Sequence, residues 1–132
     1  MHIIVYCRFF DNISKFIGTL YLYNFILTEV EMDISTSRAG STLYVYFDGE
    51  LDQSAADRIR ADLDKAVNSQ GLNSVVFDVS KLRFMDSTGV GLIMGRYKKL
   101  REKNVRLCMT KPNQQIDKVL RLSGLYNIIP VI

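Results

Sequence analysis

Phe84-Met85-Asp86-Ser87-Thr88-Gly89-Val90-Gly91 is the stretch best supplied for chemistry, with a carboxylate, two hydroxyls and two glycines in eight consecutive positions. Upstream, Ser74-Val75-Val76-Phe77-Asp78-Val79 is β-branched and nearly continuously apolar, which predicts a short central strand covered on both faces. Downstream, Val90, Ile93, Met94, Tyr97 and Leu100 recur at three- and four-residue spacing and predict one apolar stripe of a helix. Ser87 then lies at a helix N-terminus, beside backbone N–H groups that lack intrahelical acceptors and favour negative charge. Two readings of the cluster stand side by side. Asp, Ser and Thr are preferred N-cap residues, so the cluster can be a helix start and nothing more. Alternatively, an accessible hydroxyl there accepts a phosphate, which changes the surface without unfolding the domain.

Other catalytic material is scarce. The one histidine of the chain, His2, lies in an atypical leader, so a Ser-His-Asp triad or a histidine-ligated metal site has no source of imidazole. Neither an enzyme nor a metal or cofactor of its own is expected. Gly89-Val90-Gly91 followed by Gly95 invites a nucleotide-binding reading, but the third glycine comes four residues after the second rather than three. Residues 80–87 are also expected to separate the strand from the glycines, and no Gly-Lys-Ser/Thr ending follows. A small nucleotide-binding enzyme is therefore disfavoured, and Gly91 and Gly95 are expected where the helix approaches the sheet closely. Asp48, Glu50 and Asp52 cluster where a strand gives way to a helix and read, taken alone, as solvated turn carboxylates.

The elements that must hold these residues are compatible with one domain, for which 132 residues suffice. Segments 34–38 and 42–48 predict a hairpin through Ala39-Gly40-Ser41, with Leu43, Val45 and Phe47 alternating with Tyr44 and Tyr46. Ser54-Ala55-Ala56-Asp57 is a capping-box-like start for a helix with Ile59, Leu63, Ala66 and Val67 inward, and Gly71 is placed to end it. A strand at 105–109 follows the second helix. Pro112 then precedes a third helix with Ile116, Val119, Leu120 and Leu122 inward, stopped at Ser123-Gly124, before a last strand at 128–132. The order ββαβαβαβ predicts an α/β fold: a mixed central β-sheet with helices packed on it.

The formal charge of +3 is mild, and six basic residues fall between Arg96 and Arg106. Because Arg96, Lys98, Lys99, Arg101 and Lys103 flank a helical stripe, they read as a solvated face with cations near the helix C-terminus, not as a nucleic-acid surface. Cys7 and Cys108 form neither a disulfide framework nor a zinc site, which fits a reducing cytoplasm. Residues 1–31 differ from the rest and hold seven of the fourteen aromatics. Their apolar stretch 16–27 is shorter than the roughly 18–20 residues a membrane helix needs, and Thr28-Glu29-Val30-Glu31 offers no small-residue cleavage site. No membrane association is expected. Glu29-Val30-Glu31 is compatible with a purine-rich ribosome-binding string, so Met32 is read as the true start; the alternative is an arm that packs on the domain or a partner.

The string Met85-Asp86-Ser87-Thr88-Gly89-Val90-Gly91-Leu92-Ile93-Met94-Gly95-Arg96-Tyr97-Lys98 stands between Gly49-Glu50-Leu51-Asp52 and Leu122-Ser123-Gly124-Leu125. Together these motifs resemble the anti-sigma factor antagonist family, whose single domain is called STAS, and most closely its sporulation-type members. The resemblance covers about residues 32–132, which also favours Met32 as the start; the family usually continues into another helix after the last strand, and a sequence that stops at Ile132 is expected to be either a shortened variant or a truncated one. The resemblance implies a cytoplasmic regulator that binds an anti-sigma factor and so releases a sigma factor for transcription. By the same resemblance the anti-sigma factor is a serine kinase that phosphorylates Ser87, and a serine phosphatase reverses this. Thr88 stands where the family commonly has serine. Glu50, Asp52, Asp86, Thr88, Gly89 and Gly91 are implied partner-binding positions. ATP and magnesium would belong to the kinase. A STAS subunit of a lipid-transport or membrane-transporter assembly is the alternative with the same fold.

Overall fold

Alternating apolar residues along one strand decide which face of the sheet is closed. In β2 (Thr42–Leu51) the odd-numbered Leu43, Val45, Phe47 and Leu51 are buried, while the even-numbered residues are half-buried or exposed. The computed structural model describes residues 32–132, so what the sequence implied for the leader 1–31, with His2 and Cys7, lies outside the described residues. β1 (Asp33–Ala39) pairs antiparallel with β2 through a turn at Gly40, whose φ of 62° suits glycine. β3 (Ser74–Met85) runs parallel to β2, and β4 (Arg106–Thr110) runs parallel to β3, giving the sheet order β1-β2-β3-β4. Helix α1 (Gln53–Val67) crosses from β2 to β3, and α2 (Ser87–Glu102) from β3 to β4. Helix α3 (Gln114–Ser123) and a 3-10 turn, Leu125–Asn127, follow.

Two successive parallel crossovers advancing the same way across a sheet put their helices on one face, given the right-handed rule. The core accordingly joins Val45, Phe47, Phe77 and Val79 of the sheet to Leu63 of α1, Ile93 and Leu100 of α2 and Ile116 and Leu120 of α3. Phe47 and Phe77 meet edge-to-face with ring centroids 5.0 Å apart.

Several expectations change. β3 extends to Met85 instead of ending near Val79, because β2 keeps pairing with it through two register shifts as far as Leu51↔Met85. Residues 80–87 therefore do not separate the strand from the glycines, and that objection to nucleotide binding falls; the glycine spacing remains. Helix α1 starts at Gln53, capped by Asp52 rather than by Ser54, and it ends before Asn68, three residues short of Gly71. The buried face of α2 is Gly89, Leu92, Ile93, Arg96 and Leu100, rotated from the expected stripe so that Val90, Met94 and Tyr97 are only half-buried. Leu122 is 78% exposed, not inward. The expected last strand at 128–132 is reduced to one parallel bridge, Met109↔Val131.

Candidate functional site

Parallel pairing brings the two sequence motifs to one place. Glu50 lies opposite Phe84 and Leu51 opposite Met85, so the Gly49-Glu50-Leu51-Asp52 segment and the Asp86-Ser87 junction leave the sheet side by side at its carboxyl end. The two strands then open into helices in the same manner. Asp52 caps α1 by accepting a 2.8 Å hydrogen bond from the Ala55 amide, and Asp86 caps α2 by accepting a 3.0 Å bond from the Gly89 amide. The Asp86 amide donates to the Leu51 carbonyl at 3.3 Å and ties the junctions together. Asp52 is thus a helix cap and not the free turn carboxylate expected from the sequence.

Ser87 is the first residue of α2 and is exposed, with Thr88 half-buried behind it. Asp86 occupies the Gly89 amide, and Val90 N–H donates to the Asp86 carbonyl at 3.0 Å, which closes the first helical turn. The amides of Ser87 and Thr88 have no intrahelical acceptor at these positions and face the hydroxyl end of the helix. A phosphate on Ser87 would meet those N–H groups and the positive end of the helix dipole, offset by the Asp86 carboxylate next to it. The two caps and the serine hydroxyl offer hydrogen bonding and phosphate acceptance; no cluster of three metal-ligating side chains occurs among the described residues.

The glycines divide differently from expectation. A Cβ on Gly89 would lie 2.7 Å from Met85 Cγ, 2.8 Å from the Leu51 carbonyl oxygen and 2.9 Å from Leu51 Cγ. Nothing lies within 4 Å of a Cβ on Gly91 or Gly95, so the close approach belongs to Gly89 alone of these three. Gly91 is exposed on the same helix. Asp48 and Glu50 share the less buried face of β2, with Asp48 3.4 Å from Arg83 Nη1.

Two groups near the site were not read from the sequence. Phe84 is 39% exposed beside Glu50; its place in a polar-looking run, Ser80-Lys81-Leu82-Arg83-Phe84, hid both the strand and the exposed ring. Arg96, expected on the solvated face, is only 5% exposed and sets its Nε 3.1 Å from Asp64 Oδ1 of α1, an oxygen shared with Lys99 Nζ at 3.2 Å. Its spacing of four from both Leu92 and Leu100 was the available signal.

Residues 33–132 match the model of the STAS domain. The anti-sigma F factor antagonist of Paenibacillus polymyxa is 31% identical over 102 residues, covering 77% of this chain and 87% of that protein. The solved structure of the anti-sigma factor antagonist SpoIIAA in its unphosphorylated form superposes with a TM-score of 0.65 at 29% identity, over 76% of this chain and 88% of that one. The phosphorylated form of the Bacillus cell fate determinant SpoIIAA gives a TM-score of 0.59 at 29% identity, over 76% and 91%. The chain belongs to the STAS-domain family. Its four-stranded mixed sheet with three helices is the STAS fold of SpoIIAA. Among the described residues no helix is long and apolar enough to cross a membrane.

Proposed function

We propose that this protein is an anti-sigma factor antagonist: it binds an anti-sigma factor/serine kinase, so that a sigma factor is released, and phosphate on Ser87 switches the binding off. A serine phosphatase restores the binding form, and the cycle runs in the cytoplasm, where transcription takes place. The observation that carries this reading is the exposed Ser87 at the start of α2, on the same sheet end as Glu50 and the Asp52 cap. The names of the relatives and the two phosphorylation states of SpoIIAA support it.

In this reading the binding surface comprises Glu50, Asp52, Asp86, Thr88 and Gly91, with the exposed Phe84 ring as an apolar contact, while Gly89, buried against Leu51 and Met85, sets the position of the helix start and does not touch a partner. Phosphate adds about −1.5 to −2 charges at the centre of that surface. The free domain can hold it with the Ser87 and Thr88 amides, whereas a partner packed on a neutral serine meets steric overlap and an unpaired charge. A loss of about 3 kcal/mol in binding is more than a hundredfold in affinity, so no refolding is needed for a switch. The site contributes an acceptor hydroxyl and no catalytic group, and the protein acts as a regulator and kinase substrate, not as an enzyme.

Calorimetric titration with a kinase-type anti-sigma factor tests the proposal. Ser87→Ala should bind like the unmodified protein and Ser87→Asp more weakly while remaining folded. Equal binding by both variants would refute the switch.

A further inference from the structure

The sheet ends in an open strand on its β1 side. In the order β1-β2-β3-β4 strand β1 is terminal, and its ladder partner among the described residues is β2 alone. Ser35 to Ala39 are exposed one after another, so neither face of the strand is covered there. The two-residue turn Gly40-Ser41 makes Ala39↔Thr42 a hydrogen-bonded pair, and in an antiparallel ladder such pairs alternate with pairs that exchange no bonds. Ser37↔Tyr44, Ser35↔Tyr46 and Asp33↔Asp48 are therefore bonded pairs as well. Ile34, Thr36 and Arg38 turn their N–H and C=O groups outward, and no main-chain hydrogen bond among the described residues uses them.

Edges are commonly blunted by lysine, proline, a bulge or a very short strand. β1 is seven residues long, runs against β2 without a register shift and holds neither lysine nor proline. A foreign peptide added to an edge draws its specificity from pockets for alternate side chains, and the middle of β1, Ser35-Thr36-Ser37, offers only short hydroxyls. What this edge matches is itself. A two-fold axis perpendicular to the sheet keeps each side chain on its own face, so only registers that set odd residues opposite odd and even opposite even are allowed. About an axis at Thr36, Thr36 faces its own copy, Ser35 faces Ser37, Ile34 faces Arg38 and Asp33 faces Ala39. Every outward-facing residue then meets another, no charge lies opposite a like charge, and the Arg38 stem can cover the half-buried Ile34. The next allowed register on either side leaves Arg38 or Ile34 facing residues beyond the strand.

We propose that β1 pairs antiparallel with β1 of a second copy of this chain, about an axis at Thr36, and joins the two four-stranded sheets into one. Each outward pair exchanges two main-chain hydrogen bonds. β1 supplies seven residues a side, against roughly 20–30 in a stable interface, so the dimer is weak and gathers at high protein concentration. Because the joined strands are antiparallel, the carboxyl ends of the parallel strands point opposite ways in the two copies. Ser87 is exposed at that end, so both hydroxyls stay open and the dimer presents two Ser87 surfaces that face apart.

The test is sedimentation velocity of the full chain from micromolar to millimolar concentration, with NMR-detected hydrogen exchange of the ¹⁵N-labelled chain at the two ends of that range. A monomer–dimer equilibrium should appear, and exchange at the Ile34, Thr36 and Arg38 amides should slow as concentration rises, while Ser35 and Ser37, already bonded to β2, should not change. Thr36→Lys sets two ammonium groups opposite each other at the axis and should weaken dimerisation at least about fivefold; equimolar mixing with Thr36→Glu should restore it. Thr36 is exposed, so both variants should keep the melting curve of the unmodified protein, and the exchange measurement on the unmodified protein stands without them. A chain that stays monomeric at millimolar concentration, undiminished assembly of the Thr36→Lys protein, no restoration in the mixture, or slowed exchange gathered away from β1 would each overturn the proposal.

Discussion

Replacing Gly89 by alanine should destabilise the domain, whereas the same change at Gly91 should stabilise it. Both glycines lie in α2, where alanine is favoured over glycine by up to about 1 kcal/mol. At Gly91 nothing opposes that gain, since a new methyl would have open space around it. At Gly89 the methyl would come within 2.7–2.9 Å of Met85 Cγ, the Leu51 carbonyl oxygen and Leu51 Cγ. Optimal carbon contacts lie at about 3.5–4.0 Å, so α2 must back away from the Leu51 turn by most of an ångström. The carbonyl is backbone and is held in place by the Asp86 amide and by the Leu51↔Met85 pairing, so it cannot yield alone. Overpacking of this kind costs about 1–3 kcal/mol, and after a propensity gain of up to about 1 kcal/mol the net loss reaches about 2 kcal/mol. Urea unfolding of the two variants gives the difference directly, and for a domain of this size each kcal/mol moves the midpoint of melting by roughly 4–8 °C. A Gly89→Ala protein as stable as Gly91→Ala would refute the packing of α2 on the β2–α1 turn.

The cap geometry separates two roles of Asp52: Asp52→Ala should lose about 0.5–2 kcal/mol with its cap, while Asp52→Asn keeps most of the stability and reports the carboxylate's part in binding. Calorimetry on both variants checks this, and unaltered binding by a stable Asp52→Asn protein would restrict Asp52 to capping. Asp64→Asn should cost about 1–3 kcal/mol because it leaves the buried Arg96 guanidinium unpaired, measured by denaturation. Burial, followed by its 2.5 Å hydrogen bond to Asp117, pushes the Tyr126 phenol from 10.0 up to about 12. The raised value means that the stability from this phenol is present below about pH 10 and is lost as pH climbs toward 12. Spectrophotometric titration of the protein and its Tyr126→Phe variant should differ by one phenol ionising near the top of that range.

The sequence was most legible where one physical demand acted at a time. Val75 to Val79 had to be apolar on both faces, and all five of Val75, Val76, Phe77, Asp78 and Val79 are buried. Ser87 could be placed at a helix start because a buried strand and a helical stripe bracketed it. The junction was harder where side chains serve two purposes. Asp52 looked like a solvated carboxylate because its capping partner, the Ala55 amide, is invisible in residue types, and Ser54 offered a competing cap. The end of β3 was hidden because Ser80, Lys81, Arg83 and Phe84 are exposed there, so pairing with β2 and not burial makes it a strand. Which glycine touches the sheet depended on the phase of α2, and a rotation of the stripe exchanged Gly91 for Gly89 and drew Arg96 inward.

The central claim concerns one hydroxyl at the head of α2. Incubating the full chain with a kinase-type anti-sigma factor and ATP, then mapping phosphate by tandem mass spectrometry and titrating the purified phosphoprotein back into the same partner, tests it most directly. One phosphate on Ser87, none on the Ser87→Ala protein, and at least about a hundredfold weaker binding of the phosphorylated form, equivalent to some 3 kcal/mol, is the predicted result. Phosphate on Thr88 would move the acceptor by one position, and undiminished binding of fully Ser87-phosphorylated protein would contradict the switch.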